Sequence, residues 1–138
     1  MFYEIKLKVD KDNGKGEMKG VVEHFITDVG LFAEAEAKGL EQYKGLEQYN
    51  GNCDVTSITR SNVVEIVNEK EEGKPFYKAT IISTFTDENG NEKENKYYNL
   101  VCAKDITEAN RLMQEHMRQG LEDMRLDAIQ KTKIIDLI

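Results

Sequence analysis

Residues 2–10 read FYEIKLKVD, and residues 76–85 read FYKATIISTF. In each stretch Phe-Tyr opens a run in which apolar and polar side chains largely alternate, the period-two pattern of a strand with one buried and one solvated face. An Asn-Gly pair follows each run, at residues 13–14 and 89–90, and a second apolar run comes after it. The pattern predicts two antiparallel β-hairpins.

A helix is predicted after the second hairpin. Asp105 can cap its first turn, and Glu108, three residues on, completes a capping-box pattern. Apolar residues then recur at three- and four-residue steps, which indicates one helix face packed on a sheet. They are Ile106, Ala109, Met113, Met117, Gly120 or Leu121, and Met124.

The helix of the first half is predicted to begin near Leu31 or Phe32, and it runs into a perfect duplication. Residues 38–43 and 44–49 both read KGLEQY. A six-residue repeat is out of step with a 3.6-residue helical turn, so each copy is rotated by about 120°. We therefore expect fraying near residues 45–49 and a loop at 50–52, with the second copy a tolerated surface insertion.

The two halves repeat these patterns in the same order. A third strand is predicted at 55–67 in the first half and at 132–137 in the second. The sequence thus predicts an α+β fold of two tandem ββαβ repeats, residues 1–67 and 75–138, forming a mainly antiparallel sheet with two helices packed on it. Shared patterning of unrelated ββα stretches is the alternative explanation.

The charged segment 68–74 is predicted to be the connector between the repeats. It is too short to hold two independent domains apart, so a single domain over residues 1–138 with one shared core is expected. The length of 138 residues is sufficient for such a core.

Composition restricts the class of protein. The hydrophobic fraction is 39% and the charged fraction 33%, which is typical of globular proteins rather than of disordered or membrane proteins. No apolar stretch is long enough to span a bilayer, and a cytoplasmic location is expected. The net charge of −7 argues against nonspecific nucleic-acid binding. Cys53 and Cys102 lack metal-type spacing and are expected to be reduced.

Four stretches of the sequence resemble a family of short bacterial and phage proteins that is known only as a domain of unknown function. They are residues 32–37, 55–60, 94–101 and 132–136. The resemblance covers nearly the whole chain and implies an accessory role in a phage or other mobile element. It brings no catalytic or binding residue. The sequence departs from the family pattern at Leu31, where a polar cap is expected, and in the second KGLEQY copy.

The sequence shows no catalytic constellation, and we assign no catalytic, cofactor-binding or metal-binding residue. A catalytic histidine needs an orienting carboxylate together with a nucleophile, and a metal needs several ligands. Neither constellation is visible around His24 or His116, so both are predicted to be structural. Cys102 is predicted to be a small buried hydrophobe, although its place before a helix could lower the pKa of a thiol. No cofactor is expected.

One group of aromatic and basic residues could form a binding face. Tyrosines on a sheet with flanking cations can stack unpaired bases. The residues are Tyr77, Lys78, Lys96, Tyr97 and Tyr98. The alternative is that tyrosines at strand spacing are core and rim of the sheet.

The leading hypothesis is therefore a non-enzymatic binding or interaction module of phage or mobile-element origin, with a protein partner or a second copy of the chain as its partner. The first alternative is a single-strand nucleic-acid-binding accessory protein. The second is an unrecognised hydrolase, for which His24, His116 and an acid would have to converge.

Overall fold

A computed structural model describes residues 1–12, 14–43, 53–120 and 123–138. Eight strands and two helices follow one another along the chain. They are β1 (Phe2–Asp12), β2 (Met18–Asp28), α1 (Phe32–Glu41), β3 (Cys53–Arg60), β4 (Val63–Ile66), β5 (Phe76–Thr86), β6 (Glu92–Cys102), α2 (Ile106–Arg118), β7 (Asp123–Lys131) and β8 (Ile134–Leu137). The fold is α+β, as the sequence predicts.

The chain forms two compact units, each with its own sheet and helix. Unit 1 comprises residues 1–61 and 133–138, and unit 2 comprises residues 62–132. The strand order is β3-β1-β2-β8 in unit 1 and β4-β6-β5-β7 in unit 2. Two sheets therefore replace the one sheet that the sequence analysis expected. Each is mainly antiparallel, with one parallel pair at an edge, β2–β8 and β4–β6.

The hairpins form where the alternation predicts them. β1 pairs with β2, and β5 with β6, over eleven residue pairs each. At the second turn the Asp87 carboxylate accepts from the backbone N–H groups of Asn89 and Asn91, both at 2.9 Å, and Gly90 has φ +79°. The turn residues thus supply the hydrogen bonds and the positive φ that a tight reversal needs.

The predicted strand at 55–67 is wrong as a single element. The chain breaks it at Ser61 and Asn62: β3 pairs antiparallel with β1, whereas β4 pairs parallel with β6 in the other unit's sheet. The strand predicted at 132–137 corresponds to β8, which begins at Ile134, whereas the longer strand β7, which ends at Lys131, was not predicted. In each half a polar pair of residues separates a long strand from a four-residue strand that belongs to the other sheet.

The second helix is shorter than its apolar stripe suggests. Ala109, Met113 and Met117 are buried as predicted, but Ile106 is 54% exposed and α2 ends at Arg118. Met124 lies on β7. Met124 continues the helical spacing only by coincidence. Because the sequence analysis assigned it to the helix, the alternating pattern of β7 was not recognised as a strand. Leu121 lies outside the described residues.

The N-terminus of α2 has the predicted cap. The Asp105 carboxylate accepts from the Glu108 N–H at 2.8 Å, and the Glu108 carboxylate accepts from the Lys104 N–H at 3.3 Å. The reach-back bond therefore goes to the residue before the N-cap rather than to the N-cap itself. Leu31 precedes α1 and makes no side-chain cap. The expected fraying of the first helix and the loop at 50–52 lie outside the described residues.

Each unit has a hydrophobic cluster between its helix and its sheet. In unit 1 Gly39 lies against Ile5, where an added Cβ would meet Ile5 Cγ2 at 3.0 Å. In unit 2 Met113 packs in the cluster with Ala79. The interface of unit 1 thus has a small helix residue against a large strand residue, whereas the cluster of unit 2 has a large helix residue and a small strand residue.

Among the described residues, no helix has the length and apolar character needed to cross a membrane.

Candidate functional site

The five residues of the predicted binding face lie on both sides of the unit 2 sheet. Tyr77 and Tyr97 are on the side covered by α2, where Tyr77 is 7% exposed and Tyr97 packs against the hydrophobic cluster. Lys78, Lys96 and Tyr98 are on the opposite side, because the register pairs Thr80 with Tyr98 and Ile82 with Lys96. The two-residue period of a strand separates Tyr97 from Tyr98, so the five do not form one surface.

The three residues on the opposite side include one close contact. Lys78 Nζ lies 4.5 Å from the centroid of the Tyr98 ring, within range of a cation–π interaction. Lys96, two residues before Tyr98 on the same strand, is exposed. Of the five predicted residues, Tyr98 and the two lysines therefore share one side of the sheet.

A cavity lies on the helix side of the same sheet, at the C-terminal end of α2. Its volume is about 430 Å³, which is within the range of small-molecule sites. All four strands of the unit 2 sheet contribute to its lining. The lining residues are Glu65, Ile81, Tyr97, Asn99, His116, Met117, Gln119, Gly120 and Met124.

Asn99 is the buried polar residue of this cavity. It is 1% exposed, and its Oδ1 has no hydrogen-bond partner in the part of the chain that the structure describes. Its cross-strand neighbours are Ala79 on β5 and Glu65 on β4. Buried side-chain oxygens in folded proteins nearly always have a partner, so an unpartnered one that lines a cavity points to a missing hydrogen-bond donor.

A pair of residues that can carry charge lies at the rim. His116 Nε2 on α2 is 3.2 Å from Glu65 Oε2 on β4, and Glu65 is half exposed. The Tyr97 hydroxyl donates to the thioether sulfur of Met124 at 2.6 Å, and thioethers are weak acceptors. A Cβ on Gly120 would collide with the Met124 methyl group, so glycine at the end of α2 leaves room for the Met124 side chain beside the cavity.

A family model described as a domain of unknown function, DUF4494, matches residues 1–138. The chain belongs to this family. Comparison with curated proteins and with solved structures gave no match.

In this DUF4494 chain, unit 1 carries different residues at the corresponding places. Phe25 lies three residues before the end of β2, just as Asn99 lies three residues before the end of β6. Phe25 is 4% exposed and pairs with Ile5. Glu23, at the position of Tyr97, is buried and accepts a hydrogen bond from the Tyr43 hydroxyl. A ring therefore occupies the position in unit 1 where unit 2 has a short amide opposite an alanine.

Each histidine of the DUF4494 chain has a glutamate of its own unit beside it. His24 Nδ1 is 3.3 Å from Glu4 Oε1, as His116 is close to Glu65. Neither ring is hydrogen-bonded to a serine, threonine or cysteine within the described ranges. Among the described residues, no group of three or more His, Cys, Asp or Glu side chains could hold a metal ion.

The two thiols have different environments. Cys102 is buried under the connector, where the Glu71 N–H donates to its sulfur at 3.3 Å and the Asn68 side chain bonds both backbone groups of Cys102. Cys53 is half-buried at the start of β3. Burial raises the pKa of the Cys53 thiol, and the negative charges of Asp54 and Glu23 raise it further.

Sequence reasoning missed both Asn99 and Glu65. A signal for Asn99 was present, since the alternation of β6 places it on the same inward face as Tyr97 and Val101, where an amide is unusual. Glu65 had no such signal, because its approach to His116 depends on β4 joining the sheet of unit 2. The arrangement provides an apolar cavity with one unpartnered acceptor and one carboxylate at its rim.

Proposed function

We propose that this protein is a non-enzymatic binding module and that the cavity of unit 2 is its ligand site. One observation carries the proposal, the unpartnered Oδ1 of the buried Asn99. Leaving such an oxygen without a partner costs about 1–3 kcal/mol. A ligand that donates to it would remove this penalty, whereas a purely structural core position would be more stable with an apolar side chain.

The proposal includes the tandem duplication. Residues 1–67 and 75–138 are copies of one ββαβ unit, and the second copy has diverged into the ligand-binding copy. The matching order of elements and the equivalent strand orders support this reading. The contrast between Phe25 and Asn99 at corresponding register positions supports the divergence.

Methyl-labelled methionine provides the test. The chain has five methionines, and Met117 and Met124 line the cavity, whereas Met1 belongs to unit 1. In a screen of small fragments by ¹³C-methyl NMR, we expect binders that shift the Met117 and Met124 signals and leave Met1 unchanged. Asn99→Leu should abolish these shifts. A broad screen in which no fragment moves either signal would contradict the proposal.

Single-strand nucleic-acid binding is the second candidate function. The Lys78–Tyr98 contact with Lys96 beside it supports this candidate. Its support is weaker, because Tyr77 and Tyr97 belong to the other side of the sheet. A titration with labelled single strands at low salt tests it, and binding that weakens steeply with added salt is the expected result.

The proposal also includes three predictions that rest on the sequence alone. The module acts as one domain over residues 1–138, in an accessory role within a phage or other mobile element. A protein partner or a second copy of the chain remains the predicted macromolecular partner. Light scattering measures the oligomeric state, and the neighbouring genes test the mobile-element context.

A further inference from the structure

The described lining of the unit 2 cavity contains one acid, Glu65, and one histidine, His116, whose Nε2 lies 3.2 Å from Glu65 Oε2. Within the part of the chain that the structure describes, neither lysine nor arginine lines the cavity. The cavity also lies at the C-terminal end of α2, a thirteen-residue helix, where the helix dipole places partial negative charge. An anionic ligand would meet both of these features unfavourably.

The hydrogen-bonding groups of the cavity also favour a ligand that donates hydrogen bonds. Asn99 Oδ1 is an acceptor that needs a donor. Glu65, its neighbour on the adjacent strand, supplies further acceptor oxygens at the rim. A group rich in N–H donors placed near Asn99 would serve both residues.

Besides the polar side chains of His116 and Gln119, the lining contains apolar and aromatic side chains. Ile81, Met117 and Met124 provide aliphatic and thioether contacts, and Tyr97 adds an aromatic ring that can interact with a cation. Thioether side chains adapt to ligands of different shape. The lining therefore favours an apolar body attached to the donor group.

From these features we infer that the unit 2 cavity takes a small organic cation, with a primary ammonium or amidinium group directed at Asn99 and Glu65 and an apolar body against the methionines. This inference rests on the proposed function, because it assigns a ligand class to the same cavity.

Three probes of nearly equal size test the inference: benzylammonium, benzyl alcohol and benzoate. Their affinities are measured at neutral pH from the Met117 and Met124 methyl signals. We expect benzylammonium to bind roughly tenfold more tightly than benzyl alcohol, and benzoate to produce no shift at millimolar concentration.

Two variants separate charge from hydrogen bonding. Glu65→Gln keeps the side-chain shape at a half-exposed position, and it should lower benzylammonium affinity about threefold or more without changing benzyl alcohol binding. Asn99→Leu should abolish benzylammonium shifts. If benzyl alcohol or benzoate binds at the cavity as tightly as benzylammonium does, the inferred ligand class is wrong, but the cavity is still a ligand site. If none of the three probes moves the two signals, both the ligand class and the proposed function are overturned.

Discussion

Asn99 on β6 lies directly opposite Ala79 on β5, and both residues are buried. The corresponding pair in unit 1 is Phe25 opposite Ile5, where both side chains are large. Corresponding register positions therefore hold two large apolar side chains in unit 1 and an alanine opposite a cavity-lining amide in unit 2. The two pairs differ in side-chain size and in the unpartnered Oδ1 of Asn99.

Asn99→Leu should stabilise the protein in the absence of ligand. The substitution removes a desolvated amide and adds an apolar side chain of similar size, so we expect the free energy of unfolding to rise by about 1–3 kcal/mol. Urea denaturation followed by circular dichroism measures the change. A gain in stability together with a loss of ligand binding is typical of a position kept polar for function.

Asn95→Leu is the matched control for Asn99→Leu. Asn95 is on the same strand but exposed, so its replacement should change stability by less than about 0.5 kcal/mol. A destabilised Asn99→Leu variant would show that the amide contributes to the fold.

Gly39→Ala should destabilise the protein although alanine favours helix by about 1 kcal/mol. The added Cβ would meet Ile5 Cγ2 at 3.0 Å, and overpacking of this kind costs about 1–3 kcal/mol. Ile5→Ala removes the side chain that the added Cβ would meet, so the double variant should be more stable than the sum of the two single effects predicts. We expect a coupling energy of about 0.5–3 kcal/mol. A double-mutant cycle by chemical denaturation measures it.

The control for this cycle is Gly30→Ala. An added Cβ at Gly30 would meet no atom within 4 Å, so neither a clash nor coupling to Ile5 is expected. Additive effects of Gly39→Ala and Ile5→Ala would contradict the close packing of Gly39 against Ile5.

The sequence predicted the local structure well, but it did not predict which strands belong to which sheet. Alternation and turn residues sufficed for both hairpins, and Asp105 with Glu108 located the start of α2. Those features depend on neighbours within a few residues. The transfer of β4 and β8 to the other sheet could not be predicted in this way, because their partners β6 and β2 are distant in sequence. The cavity could not be predicted for the same reason, since Glu65 reaches Asn99 only through β4.

Cys53 should react slowly with iodoacetamide at mildly alkaline pH. The pKa of its thiol is raised, chiefly by burial and then by Asp54 and Glu23, so the reactive thiolate is scarce. Asp54→Asn should therefore increase the alkylation rate, measured by mass spectrometry. Glu88→Gln, a loss of one negative charge in the β5–β6 turn, is the control and should leave the rate unchanged.

The raised pKa of the Cys53 thiol also makes the stability of the protein depend on pH. Because the folded-state pKa of Cys53 is above the unfolded value, its contribution is fully present below the unfolded thiol pKa and is lost as pH rises through the folded value. Cys53→Ser should therefore flatten the alkaline decline of the free energy of unfolding. An unchanged alkaline slope would contradict the assignment.

Asn68→Ala should expose Cys102 without unfolding the chain. The Asn68 side chain donates to the Cys102 carbonyl at 2.6 Å and accepts from the Cys102 N–H at 2.7 Å, which holds the connector over the end of β6. Loss of both bonds should lower stability by about 1–3 kcal/mol and speed alkylation of Cys102. Cys53 in the other unit serves as the internal reference, and equal acceleration of both thiols would instead indicate global unfolding.

A crystal structure of the chain with benzylammonium tests the central claim most directly. The account predicts the ligand in the unit 2 cavity, with its nitrogen within hydrogen-bonding distance of Asn99 Oδ1 and its ring against Met117 and Met124. A structure in which Asn99 Oδ1 is bonded to another group of the protein, with the ligand bound elsewhere, would contradict it.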